Sequence, residues 1–97
     1  MDLREFQRQI AATYGAKDAK RGMAGTFMYL MEEIGELAEA LRQPDDHDLP
    51  GEFADTLAWL VGLAEVAGID LAAVTENKYP ERCSHCDNSP CSCISKP

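Results

Sequence analysis

Between Glu52 and Ala64 the chain reads EFADTLAWLVGLA, with Phe53, Ala54, Leu57, Ala58, Trp59, Leu60, Val61 and Leu63 distributed around the whole circumference of a helix. A helix that is apolar on every side must be buried. The nearly apolar run from Thr56 to Ala64 is far shorter than the ~20 residues that span a bilayer, so it predicts a core helix and not a membrane segment. Its first turn nevertheless carries Glu52 and Asp55, three residues apart. A largely buried helix holds carboxylates only where they are paired, metal-bound or at a wet end. The helix dipole contributes ~0.5 kcal/mol there, too little to offset two unpartnered buried charges. A cation is therefore expected beside them.

A second group of acids precedes it. From about Met23 to Arg42 the spacing of Phe27, Leu30, Ile34, Leu37 and Leu41 predicts a long amphipathic helix with these residues on one side. Glu32, Glu36 and Glu39 fall in a narrow stripe opposite, with Glu33 beside it. Spacings of i,i+3 and i,i+4 let Glu32, Glu33 and Glu36 converge outside one helical turn. Taken alone, such a stripe is more simply a solvated acidic face. Together with Glu52 and Asp55, however, four or five carboxylates gathered within ~6 Å must either protonate or bind cations. Hard oxygen ligands favour Mg²⁺, with Mn²⁺ as an alternative, and Mg²⁺ commonly completes its shell with water and substrate phosphates.

The rest of the chain fits one small all-α domain followed by a tail. Its 97 residues leave room for a single core. A net charge of −8 and a pI near 4.5 argue against a sequence-independent grip on nucleic acid or an anionic membrane. The N-terminus shows no export signal, and a cytoplasmic location is expected. Asp2 and Glu5 form a capping box before a first helix carrying Leu3, Phe6, Ile10 and Tyr14, for which Gly15 is the predicted stop. A basic, glycine-punctuated connection, AKDAKRGMAG, then leads to the second helix. Pro50 opens the third, expected to run to about Ala67 with Gly68 as its stop, and Asp70 caps a fourth that Pro80 ends. The helical domain is thus residues 1–82 and the cysteine-rich tail 83–97. His47, within DDHD, reads as a solvated loop residue.

MEEIGELAEAL followed by GEFADTLAWLV resembles the MazG-type nucleotide pyrophosphohydrolases of the all-α NTP pyrophosphatase group. The pattern EExxE, a gap, then ExxD is met by Glu32, Glu33 and Glu36, fifteen intervening residues, then Glu52 and Asp55; a GID turn and Asn77-Lys78 follow. The resemblance spans about Arg21 to Arg82. It implies Mg²⁺-dependent hydrolysis of a nucleoside triphosphate to the monophosphate and pyrophosphate, of house-cleaning type. It also implies Glu33, Glu36, Glu52 and Asp55 as metal ligands, and Glu32 as the group that helps place or deprotonate the attacking water, or else as a further ligand. Lys78 and Arg21 are the candidates for phosphate contacts, and Asn77 for sugar or base. Favourable placement near a helix C-terminus is an equally simple reason for Arg82, and an alternative one for Lys78. Trp59 and Phe27 at helical spacing are more simply core residues than a base-stacking pair.

Members of such a family are homodimers or dimers of dimers. The residues point the same way, because 82 residues offer too few other helices to cover the apolar third one, so a helical bundle completed by a second copy is expected. In the tail, Cys83, Cys86, Cys91 and Cys93 are spaced C-x₂-C-x₄-C-x-C, compact enough to wrap one tetrahedral Zn²⁺ as a zinc knuckle, with His85 able to replace one thiol. A redox-active thiol pair or an unstructured tail are the alternatives. Two rival functions remain open at this level. One is a non-catalytic helical dimer that binds a protein partner through its acidic face and zinc tail. The other is a dedicated dUTP or phosphoribosyl-ATP pyrophosphatase.

Overall fold

The computed structural model describes residues 1–97. It is all-helical: α1 (Leu3–Arg42), a short 3₁₀ turn (Pro44–Asp46), α2 (Leu49–Val66) and α3 (Leu71–Lys78), followed by a tail without regular structure. No helix is long and apolar enough to cross a membrane.

The predicted first and second helices are two arms of α1, and the break between them is not where the sequence placed it. Gly15 lies inside the first arm, and helical geometry continues to Gly22, whose φ of 80° and ψ of 174° interrupt the run. A helix-interior glycine costs only about 1 kcal/mol relative to alanine. The following residues, Ala16 to Arg21, hold the arm helical: Asp18 is buried and accepts a hydrogen bond from Arg21 Nη1 at 2.7 Å, an i,i+3 pair. Lys17, Lys20 and Arg21 are therefore helical residues and not part of a connecting loop. The bend is large, because 40 straight helical residues would extend roughly 60 Å, whereas the longest extent of the molecule is 41 Å.

The remaining boundaries follow the expected signals. Asp48 caps α2 by accepting from Gly51 N at 3.3 Å, with Pro50 in the first turn. Gly68, at φ 73°, turns the chain beyond Ala67. Asp70 accepts from Ala73 N to cap α3, and Arg4 of the first arm donates to the same carboxylate, holding it below its usual range. Gln7 reinforces this corner: its amide donates to Glu65 at 2.9 Å and Ile69 O at 2.7 Å, and its oxygen accepts from Leu71 N. The first arm thus crosses the C-terminal half of α2, and the second arm runs antiparallel to α2, placing Tyr29 against Trp59 and Glu33 and Glu36 against Glu52.

Packing divides the apolar side of the second arm in two. The residues turned inward are Thr26, Leu30, Glu33, Leu37 and Ala40, a 4-3-4-3 stripe, whereas Phe27, Ile34 and Leu41 are left exposed. Likewise α2 is not enclosed within one chain. Val61, Gly62 and Ala64 are buried, but Phe53, Leu57 and Leu60 are 53%, 44% and 45% exposed. Only nine residues of the whole chain are buried, which is too small a core to enclose α2 alone.

The two glycines of α1 should respond with opposite signs. Gly22→Ala places a side chain where only glycine is comfortable and should destabilise by about 1–3 kcal/mol. Gly15→Ala is helical with open space around a new Cβ and should stabilise by roughly 0.5–1 kcal/mol. Urea unfolding followed by circular dichroism measures both, and equal effects would contradict the assigned kink.

Candidate metal and substrate site

Glu33 owes its position to the inward stripe: it stands three residues after Leu30 and four before Leu37, so the packing that buries those leucines carries its carboxylate toward α2. Glu36 is on the next turn. The Asp48 cap starts α2 where Glu52 occupies the first turn facing them. One carboxylate oxygen from each of Glu33, Glu36 and Glu52 lies within 4.8 Å of the others. Glu33 Oε2 and Glu52 Oε2 are each buried without a hydrogen-bond partner.

The electrostatics agree with the geometry. Burial, then the nearby Glu36 carboxylate, pushes the Glu33 carboxyl above its ordinary 4.5, with Asp55 and Glu52 adding to the effect. Burial followed by Glu36 and Asp55 raises Glu52 as well, and His47, read as a bland loop residue, acts slightly in the opposite direction. Two partnerless buried oxygens among mutually repelling acids form a hard, anionic donor set with an unmet need for positive charge, which suits a divalent cation of the Mg²⁺ type.

Not every acid singled out in the sequence belongs to this convergence. Asp55 borders it, close enough to perturb Glu33 and Glu52. Glu32 is exposed and its carboxylate is not among the converging oxygens. Glu39 is neutralised by Arg42 at 2.6 Å.

Beside the acids is a cavity of about 280 Å³ bounded by Tyr14, Lys17, Asp18, Arg21, Asp55 and Trp59. Asp55, at the border of the acids, lines this cavity. Trp59, expected in the core, is only part-buried and stacks on Tyr29 with centroids 5.1 Å apart and planes at 19°. The Arg21 guanidinium lies 5.0 Å from the Tyr29 ring and 4.9 Å from the Trp59 ring, held by Asp18. Two glycines leave the room this requires: a Cβ on Gly62 would meet Asp18 Oδ2 at 2.8 Å, and one on Gly25 would meet Arg21 Cγ at 2.6 Å. Tyr14, Lys17 and Asp18 are not signalled as site residues by the sequence, because a helix stop at Gly15 would separate them from Arg21. Continued helical numbering would have aligned Tyr14, Lys17 and Arg21 on one face.

Asn77 and Lys78 are not brought to this site. They are exposed near the end of α3, beyond the C-terminus of α2, while the acids gather at its N-terminus. The 18 residues of α2 put roughly 27 Å of helix between its two ends.

The tail forms a second cluster. Its four cysteines carry no disulfide, and their sulfurs all lie within 4.8 Å of one another. Hydrogen bonding from Ser92 holds the Cys86 thiol down to about 5, whereas the adjacent Cys91 sulfur pushes Cys93 up to about 12.

Two helices of this all-helical chain present facing carboxylates beside a cavity that holds Lys17 and Arg21, and residues 22–87 match the MazG nucleotide pyrophosphohydrolase domain. The dATP/dGTP diphosphohydrolase of Cyanophage S-2L is 36% identical over 74 residues, which cover 76% of this chain and 67% of that protein. The chain belongs to the MazG nucleotide pyrophosphohydrolase family and is a nucleoside triphosphate pyrophosphohydrolase. The matched span opens at the Gly22 kink, includes every acid of the cluster, and ends before Cys91 and Cys93.

The raised acids set a pH dependence for the metal-free protein. A carboxyl whose folded value lies above its unfolded one keeps its proton longer in the folded state, so stability declines as pH rises from about 4.5 through the raised values and then levels off. Melting in EDTA across this range should show the decline, and Glu33→Gln should flatten it. A metal-free protein that gains stability over the same interval would contradict the assignment.

Proposed function

We propose that the enzyme hydrolyses nucleoside triphosphates between the α- and β-phosphates in a Mg²⁺-dependent reaction, releasing nucleoside monophosphate and pyrophosphate. The observation that carries this reading is the pair of buried, partnerless oxygens of Glu33 and Glu52, facing each other from two helices beside Glu36. Glu33, Glu36 and Glu52 would hold the cation, with Asp55 completing the set from the cavity side. Mg²⁺, or Mn²⁺ in its place, supplies charge neutralisation of the phosphate oxygens when bound.

The protein's own groups do the rest. Glu32, exposed and next in sequence to Glu33, accepts a proton from the attacking water. Lys17 and Arg21 compensate phosphate charge, while the Asp18 carboxylate fixes the guanidinium in place. Trp59, backed by Tyr29, offers a flat wall for a base. Water adds to phosphorus as the bridging oxygen departs in line, and the protein contributes mainly position and electrostatics. Because the phage relative is named for dATP and dGTP, purine deoxynucleoside triphosphates are the first substrates to test. Membership of a hydrolase family sets aside the non-catalytic reading, and dUTP and phosphoribosyl-ATP are the next substrates to test.

The active unit proposed is a homodimer. Phe27, Met31, Ile34 and Leu41 on α1 and Phe53, Leu57 and Leu60 on α2 recur at spacings of three, four or seven, all at least 40% exposed, as in a seam awaiting another pair of helices. Asn77 and Lys78 take part only if a second copy supplies them.

Pyrophosphate release should require added Mg²⁺, and Glu36→Gln and Asp55→Asn should each lower kcat by roughly a hundredfold or more with helix content retained. Unchanged turnover in both would overturn the mechanism. Light scattering should give twice the chain mass for the wild type, and Leu57→Glu with Leu60→Glu should reduce it to that of one chain.

A further inference from the structure

The segment from Arg82 to Pro97 contains no buried residue and no helix or strand, and its one large aliphatic side chain, Ile94, is fully exposed. A stretch of this length cannot repay its ordering entropy through an apolar core it does not possess. What converges in it is sulfur. Cys83 and Cys93 Sγ are 3.8 Å apart, Cys86 and Cys91 Sγ are 3.9 Å apart, and every pair among the four is within 4.8 Å. Four sulfurs placed ~2.3 Å from a central Zn²⁺ at tetrahedral corners are about 3.8 Å from each other. The backbone is arranged around the sulfurs as well: N–H groups of His85, Ser92 and Cys93 donate to Cys83, Cys86 and Cys91 at 3.4, 3.3 and 3.3 Å. Donors directed at sulfur favour thiolates, the form a metal takes. Reciprocal backbone bonds, Cys83 N to Asn88 O and Asp87 N to Cys83 O, close the loop between the first two cysteines and the rest.

We infer that Cys83, Cys86, Cys91 and Cys93 bind one structural Zn²⁺ that organises the tail as a knuckle beyond α3. Soft thiolates select this ion over the hard cation suited to the glutamates, and four protein ligands leave no open position for chemistry. His85 contributes its backbone N–H and not its ring, so it is not a substitute ligand. The site is independent of the carboxylate cluster, which is built by α1 and α2 at the opposite end of α2.

The test uses the full chain, purified under reducing conditions without strong chelator, with native mass spectrometry and elemental analysis as readouts. One zinc per chain is expected, and it should persist in Glu36→Gln and after Mg²⁺ is dialysed away. Replacement by Co²⁺ should produce the intense sulfur-to-metal charge-transfer absorption of a tetrahedral tetrathiolate. Cys86→Ser with Cys91→Ser should abolish zinc binding while the helical circular dichroism is kept. A metal-free chain with four titratable thiols, a mass lowered by disulfide formation, iron in place of zinc, or zinc retained by the double variant would each overturn the assignment. The wild-type stoichiometry decides the matter even if the double variant does not fold.

Discussion

Glu33, Glu36 and Glu52 are pressed together where the second arm of α1 packs against the start of α2, with Asp55 at their border, and no lysine or arginine is inserted among them. Hydrophobic packing holds the acids in place against their repulsion. Leu30 and Ala40 are buried on the stripe that also carries Glu33, and the Asp48 cap determines where the first turn of α2 begins. Neither helix can relieve the repulsion by sliding, because a shift would expose the leucines together with the carboxylates. Part of the packing energy is thereby stored as an electrostatic demand that a divalent cation can satisfy.

The Gly22 kink determines what stands next to that demand. A straight α1 would carry its first arm far beyond α2. The bend instead lays it across the C-terminal half of α2, so that Asp18 reaches Gly62 and Arg21 reaches Tyr29 and Trp59. Acids and cations are thus delivered to one region by different arms of the same helix, separated by a residue that has no side chain to obstruct the turn. The family match beginning at residue 22 means that the domain's shared pattern covers the acids, whereas the cavity's basic wall lies on the arm before it.

The acids were legible in the sequence because i,i+3 and i,i+4 spacings translate directly into shared helical faces, and because carboxylates opening an apolar helix require an explanation. Helix starts at Asp2, Pro50 and Asp70 and the stop at Gly68 were similarly open to local reading, since capping and first-turn preferences involve only near neighbours, whereas the Asp48 cap came only with the structure. What was hidden depended on partners distant in sequence. Gly15 and Gly22 look alike along the chain, yet the helix runs through the first, past Asp18 buried beside Gly62, and breaks at the second. The apolar face of the second arm also looked single. Its division into Leu30 and Leu37 inside and Phe27, Ile34 and Leu41 outside depends on where α2 lies. That same displacement makes Glu33, rather than Glu32, the acid that faces inward, and it leaves Asn77 and Lys78 outside the site despite their place in the motif.

A net charge of −8 and an open apolar seam therefore have a common origin. A chain this short cannot enclose a multi-acid centre and also bury both sides of the helix that carries half of it. Concentrating acids at the α1–α2 contact uses the one well-packed face for the metal demand and leaves Phe53, Leu57 and Leu60 on the opposite side without cover. A second copy seated on that side would bury it without inserting its own acids between the two helices that carry the cluster. The apolar seam and the acidic cluster can then coexist because they occupy different faces of the same two helices.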